Sequence, residues 1–100
     1  MCAACRHGIT HERERISMAG SHEHRFFNPG GFLFHIGCFR RAPGCAIGGV
    51  PSTAFTWFPG FAWSYALCGG CAEHLGWNFE SPGQDGFFGL VLNRLAGRES

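Results

Sequence analysis

The stretch Thr56–Phe79, T-W-F-P-G-F-A-W-S-Y-A-L-C-G-G-C-A-E-H-L-G-W-N-F, decides how this 100-residue chain folds. It holds all three tryptophans, Trp57, Trp63 and Trp77, and one of two CxxC pairs, Cys68 and Cys71. Tryptophan is enriched where a group is gripped by aromatic faces. A CxxC turn sets two thiolates about a tetrahedral edge apart, as a zinc knuckle requires. If Cys68–Cys71 is the turn of a hairpin, positions equidistant from its centre face each other, which predicts Trp63 and Trp77 as close cross-strand neighbours. Phe79 lies two residues beyond Trp77 and points to the same face. The turn at Phe58-Pro59-Gly60 folds Trp57 back toward Trp63. The expected product is a hairpin with a metal knuckle at its tip and a three-indole box, with Phe79, on one face. Edge-to-face core packing is the competing account. Three indoles converging on one hairpin favour the box.

The second CxxC is Cys2 and Cys5, with 62 residues between Cys5 and Cys68. Four thiolates close a coordination sphere and leave no position for water. The expected cofactor is therefore one structural Zn2+ per chain, held by Cys2, Cys5, Cys68 and Cys71. It staples the start of the chain to its far half, as small domains often require. Disulfides and a thioredoxin-type redox CxxC are the alternatives. The redox reading wants a βαβ context, and no long amphipathic helix is patterned here. The opening M-C-A-A-C-R-H lacks the apolar core of a signal peptide. A cytoplasmic location is expected, where cysteine clusters more often bind metal.

Outward from this stretch the chain reads as all-β, with short strands punctuated by Gly/Pro turns in one domain spanning residues 1–100. In 32–39, F-L-F-H-I-G-C-F, period two places Phe32, Phe34, Ile36 and Cys38 on one face and His35 on the other. Further strands are expected at 61–67, 75–79 and 87–92, with a helical turn near 93–96. Turns are expected at Asn28-Pro29-Gly30-Gly31, Pro43-Gly44, Gly48-Gly49, Pro59-Gly60 and Pro82-Gly83. The polar segment 11–25 reads as a solvated loop or edge.

Composition narrows the function classes. A net charge of +1 gives no electrostatic footprint for nucleic acid or an anionic membrane. No apolar run approaches the roughly 20 residues that cross a bilayer. Residues 46–71 carry no charged side chain. An aromatic box with uncharged walls suits a small neutral ligand better than a cation. Main-chain N–H and C=O groups near Phe55 to Trp57 are placed to read its polar atoms.

With these residues in hand, Cys2-x-x-Cys5, Asn28-Pro29, P-S-T-A-F-T-W-F-P-G-F-A-W (51–63), C-G-G-C-A-E-H-L-G-W-N-F (68–79) and F-F-G-L (87–90) together resemble the thalidomide-binding (CULT) domain family of cereblon. The likeness runs through essentially the whole chain and is similar to a bacterial single-domain member. It implies a β-tent, two antiparallel sheets meeting at a steep angle, pinned by the single four-cysteine zinc site. It also implies a pocket for glutarimide and related cyclic imides between Trp57, Trp63 and Trp77, with Phe79 at its base. The imide would bond to backbone at Phe55 and Trp57, and Asn28 would sit at the mouth. Animal members carry a histidine where this chain has Phe55, so any side-chain hydrogen bond there is lost, a difference of about 1 kcal/mol. Uridine-like rings and peptide ends bearing a cyclic imide are further ligands the resemblance implies. It carries no ubiquitin-ligase role, because the ligase-recruiting domains are not in this sequence. A monomer is expected.

Two other classes compete. A methionine sulfoxide reductase of the B type shares a two-CxxC zinc scaffold but needs a nucleophilic cysteine in an activating setting. The spare cysteines, Cys38 and Cys45, both precede the second knuckle, where that family's nucleophile follows it. Cys38 alternates with core positions; Cys45 reads as a Gly-flanked turn. No catalysis is expected. A yippee-like protein-interaction module has no need of three tryptophans. His7, His11, His22 and His24 read as surface histidines, and His74 as a donor steadying the zinc loop.

Overall fold

The computed structural model describes residues 1–97, and its regular elements are six antiparallel strands and two short 3-10 helices. The strands are β1 (Glu23–Phe27), β2 (Leu33–Phe39), β3 (Cys45–Ser52), β4 (Ala62–Cys68), β5 (His74–Ser81) and β6 (Gln84–Val91). The 3-10 helices are Glu12–Glu14 and Leu92–Arg94. Hydrogen bonding joins the strands in the order β1-β2-β6-β5-β4-β3, so the ladder runs unbroken through β6. No described helix is long and apolar enough to cross a membrane.

The expected strands at 32–39, 61–67, 75–79 and 87–92 correspond to β2, β4, β5 and β6, and the helical turn to Leu92–Arg94. Phe32 falls outside β2 and is exposed. β1 begins in the segment 11–25, read as a solvated loop or edge, and is an edge strand that runs on to Phe27, with His24 and Phe26 half-buried and Glu23, Arg25 and Phe27 exposed. An edge strand buries one face only, and charges on the other suppress edge-to-edge pairing. β3 runs through Gly48-Gly49, which read as a turn; the register slips between Gly48 and Ser52. Glycine in a strand marks such an irregularity, and Pro51 is tolerated because β3 is the other edge. Cys45 therefore sits in a strand opposite Cys68, not in a turn.

The buried residues form two cores on opposite faces of the sheet, assigned by alternation in β2, β4 and β6 and switched in β5 by the register slip at Leu75. Ile36, Cys38, Phe58, Phe61, Trp77, Phe79, Phe87 and Val91 form one. Cys2, Ile9, Phe39, Ala42, Ala66, Cys68, Leu75 and Leu90 form the other, so the cysteine knuckles are part of a core. Aromatic edge-to-face contacts knit the first: Phe58 meets Phe79 and Phe87, each at 5.0 Å. The histidines expected at the surface are partly structural. His22 Nδ1 bonds Ile16 O at 3.0 Å and His24 Nε2 bonds Met18 O at 2.9 Å, tying the 16–21 loop to β1. His35 points away from the Phe34 face and meets Glu23 at 2.7 Å.

Candidate metal centre and aromatic cavity

The two knuckles are built alike. Arg6 N donates to Cys2 O and Ala72 N donates to Cys68 O, both at 2.8 Å. Cys2 N donates to His7 O and Cys68 N to Glu73 O, again both at 2.8 Å. In each, the residue four places after the first cysteine lies in the left-handed region, Arg6 at φ 66° and Ala72 at φ 65°. Sequence separation hides this equivalence; the shared C-x-x-C spacing is its only trace. Gly69 and Gly70 are required by crowding: a Cβ on Gly69 would stand 2.8 Å from Gly44 O, and one on Gly70 2.9 Å from His7 Cβ. The bridge between Cys2 and Leu95 and the bond from Ala3 N to Arg94 O hold the first knuckle in place.

The four sulfurs lie within 4.8 Å of one another, Cys2 and Cys68 buried, Cys5 and Cys71 exposed. Cys2 Sγ and Cys71 Sγ are 3.8 Å apart, Cys5 Sγ and Cys68 Sγ 3.5 Å. A tetrahedral metal at about 2.3 Å from each sulfur requires S···S separations of about 3.8 Å, so the set fits a metal ion. All six cysteines are free thiols, which removes the disulfide framework as an account of the pairs. Burial raises the Cys68 thiol, but N–H bonds from Cys71 and Gly70 outweigh it and hold it at about 7. Cys71, despite the lowering bond at Glu73, is pushed up to about 12 by its neighbouring thiols and by burial. The cluster ionises one thiol readily and resists the next. A cation removes that resistance.

On the opposite face lies a cavity of about 400 Å³ lined by Asn28, Phe55, Trp57, Trp63, Trp77 and Phe79, the six residues expected in one site. Trp77 and Phe79 are 9 % and 1 % exposed and form its floor, whereas Phe55 stands 78 % exposed at the rim with φ 55°. The indole rings of Trp57 and Trp77 meet edge to face at 4.7 Å. Trp63 is not the direct partner of Trp77. It lies opposite Phe79, and Tyr65 lies opposite Trp77. The knuckle occupies 69–73, and the register slips between Ala66 and Leu67, which moves the axis of the hairpin off the centre of Cys68–Cys71.

Two indole N–H groups are committed to main chain: Trp57 Nε1 donates to Phe27 O at 3.2 Å and Trp63 Nε1 to Ala54 O at 2.8 Å. They strap the loop 53–61 between β1 and β4; one face of Trp57 is stacked on Phe26 at 4.9 Å, and all three indoles border the cavity. Asn28 Oδ1 accepts from Phe32 N at 2.9 Å, so this side chain closes the β1–β2 turn as well as lining the mouth.

His74 does not steady the knuckle. Its ring lines the cavity, edge to face with Trp77 at 5.0 Å and Tyr65 at 5.3 Å. Nε2 lies 2.8 Å from Gly76 O, an acceptor, and Nδ1 lies 3.4 Å from Arg94 Nη1, a donor. These partners select the neutral ring protonated at Nε2. Burial, then the Arg94 charge, lower its pKa against the Gly76 bond and Glu73, in keeping with that form. Phe34, Pro29, Ala54, Tyr65 and His74 line the cavity without having been singled out for it. Strand parity could have found Tyr65, two residues from Trp63 on the same face.

Among the spare cysteines, burial pushes both thiols up to about 11, for Cys45 with added repulsion from Cys68 and Cys2.

No family model matches the chain. Curated relatives do. It is 35% identical over 83 residues to protein cereblon of Drosophila erecta, covering 80% of this chain and 14% of that protein. To protein cereblon of Gallus gallus it is 35% identical over 77 residues, 73% of this chain and 17% of the relative. To that of Drosophila persimilis it is 44% identical over 59 residues, 57% of this chain and 10% of the relative. The chain thus spans about a seventh of the length of the first of these. The all-β ladder, the four-cysteine cluster and the tryptophan cavity fall together with this likeness: the chain is a cereblon-like domain, matching one segment of cereblon and not the whole protein.

Proposed function

We propose that the chain is a zinc-stabilised, non-catalytic binding domain whose cavity takes small uncharged cyclic imides of the glutarimide and thalidomide type, with uridine-like rings as a neighbouring class. The observation that carries this reading is one cavity lined by three indoles and no charged side chain, with two of the indole N–H groups holding the scaffold. Trp57, Trp63 and Trp77 clasp the ring, Phe79 supports it from below, and main chain at Phe55 and Trp57 reads the imide edge; Asn28 stands at the mouth. The cluster Cys2, Cys5, Cys68 and Cys71 takes Zn2+, because four thiolates in a closed tetrahedron suit that ion and leave it no catalytic position. When bound, zinc supplies only cross-linking between the two knuckles. The domain acts as a monomer in the reducing cell interior, without nucleic acid or membrane, and a peptide end bearing a cyclic imide is a further ligand.

The sulfoxide-reductase alternative wants a thiol of depressed pKa, and burial moves Cys38 and Cys45 the other way. Turnover of methionine sulfoxide with dithiothreitol, abolished by Cys38→Ser or Cys45→Ser, would restore it. The binding reading is tested by calorimetric titration of glutarimide into zinc-loaded protein and into Trp77→Ala. Saturable binding is expected in the first, with loss in the second at an unchanged one zinc per chain. If Trp77→Ala loses its zinc and unfolds, Trp77 is core and the assignment fails.

A further inference from the structure

The polar atoms of the cavity wall divide into those already bonded and those left open. Trp57 Nε1, Trp63 Nε1, Asn28 Oδ1 and both ring nitrogens of His74 have partners within the protein. Trp77 Nε1 and the Tyr65 hydroxyl have none among the described residues, and neither residue is one with a further partner. Trp77 is 9 % exposed, yet among the described residues the only inaccessible side-chain nitrogen or oxygen lacking a partner is Ser64 Oγ. The Trp77 N–H is therefore reachable, and the space its ring borders is the cavity. An accessible donor without a protein partner is free to be taken by an acceptor on a ligand in the cavity.

The two residues that bear these groups are neighbours on the sheet. Tyr65 and Trp77 are direct cross-strand partners on β4 and β5, which sets their Cβ atoms about 5 Å apart on one face. His74 packs edge to face against both rings, and because its own nitrogens are occupied it fixes their positions without competing for a ligand. Trp63 closes the far side of Tyr65 at 5.4 Å. Asn28 Nδ2 is also open, but it belongs to the β1–β2 turn at the mouth. The loop with Phe55 and Trp57 forms one wall, and β4–β5 with this donor pair forms another. A volume of about 400 Å³ lies within the range of sites for drug-sized molecules, so there is room beyond a bare six-membered ring.

We propose that Tyr65 and Trp77 form a second polar anchor that selects imide-ring ligands carrying an additional hydrogen-bond-accepting oxygen outside the imide group. This rests on the imide reading and sharpens it: main chain at 55–57 reads the imide edge, and the Tyr65–Trp77 pair reads a carbonyl projecting from the rest of the molecule. Tyr65 is a specificity-determining residue, since its loss removes discrimination and not the aromatic clasp.

The test uses two probes matched in shape, 4-acetylglutarimide and 4-isopropylglutarimide, which differ in one carbonyl oxygen. Zinc-loaded wild-type protein is expected to bind the acetyl probe about tenfold more tightly, the scale of one well-made hydrogen bond to a buried donor. Tyr65→Phe, which keeps the ring packing, is expected to cut that preference to about threefold or less. In 15N–1H spectra the Trp77 indole N–H should move downfield with the acetyl probe and not with its isopropyl match. Equal affinities in the wild type, or a preference undiminished in Tyr65→Phe with an unmoved Trp77 indole signal, overturn the anchor. If neither probe nor glutarimide itself binds, the imide reading fails instead, and the anchor with it.

Discussion

Gly76 marks a position where the sheet has no room for a side chain. A Cβ there would collide with Gly89 O and stand 2.8 Å from Leu90 Cα, both backbone atoms that cannot rotate aside. Gly76 O is also the acceptor that orients His74. Gly76→Ala is therefore expected to destabilise the domain by about 3 kcal/mol, read as a fall in denaturant midpoint. A midpoint unchanged from wild type would contradict the packing described. Residues whose chemistry is distinctive in isolation were legible from sequence: four cysteines in two CxxC pairs, three tryptophans, Phe79 by parity. His74 was not, because what it does depends on Gly76 O and Arg94, partners that only the folded chain supplies. Cys45 was misplaced for the same reason, its Gly neighbours reading as a turn when pairing with β4 makes it a strand.

At the scale of elements, alternation made β2 and the β4–β5 hairpin readable, since each has a continuous apolar face. β1 was readable only as a loop or edge and β3 not at all, because edge strands bury less, and because Gly48-Gly49 and Pro51 are compatible with a turn as well as with an irregular edge. The hairpin also shows how a register slip changes a site: displacing the axis brings Tyr65, not Trp63, opposite Trp77. The loop 53–61 is the element whose position the tryptophans set. Trp63→Phe preserves an aromatic ring but deletes the bond to Ala54 O, with an expected loss of about 1 kcal/mol concentrated in this loop. Amide hydrogen exchange should then quicken in 53–61 while β5 and β6 stay protected. Unchanged exchange in the loop would show that the indole bond is not what holds it.

For the whole molecule, the sheet separates a core that contains the cysteine knuckles from one that borders the aromatic cavity, and the knuckles bring the chain's first residues against β4 and β5. Removing the metal should therefore loosen the domain globally. A chelator at neutral pH is expected to lower Tm by about 15 °C, corresponding to about 3 kcal/mol for a domain of this size. On the acid side the pH dependence follows from Cys68, whose thiol at about 7 lies below its ordinary 9. The contribution of this one thiol is complete above 9 and disappears as pH falls through 7 in the metal-free protein. Bound metal holds the thiolates at lower pH still, so the loaded protein should keep its stability through neutrality and release metal on further acidification. Metal release that preceded any loss of Tm would contradict the staple.

The claim on which the rest depends is that three indoles form one ligand site. The most direct measurement follows the three indole N–H signals in 15N–1H spectra of zinc-loaded protein during titration with glutarimide. The Trp57, Trp63 and Trp77 signals are all expected to move, to saturate and to fit one dissociation constant. A folded spectrum in which none of the three moves up to millimolar glutarimide would contradict it.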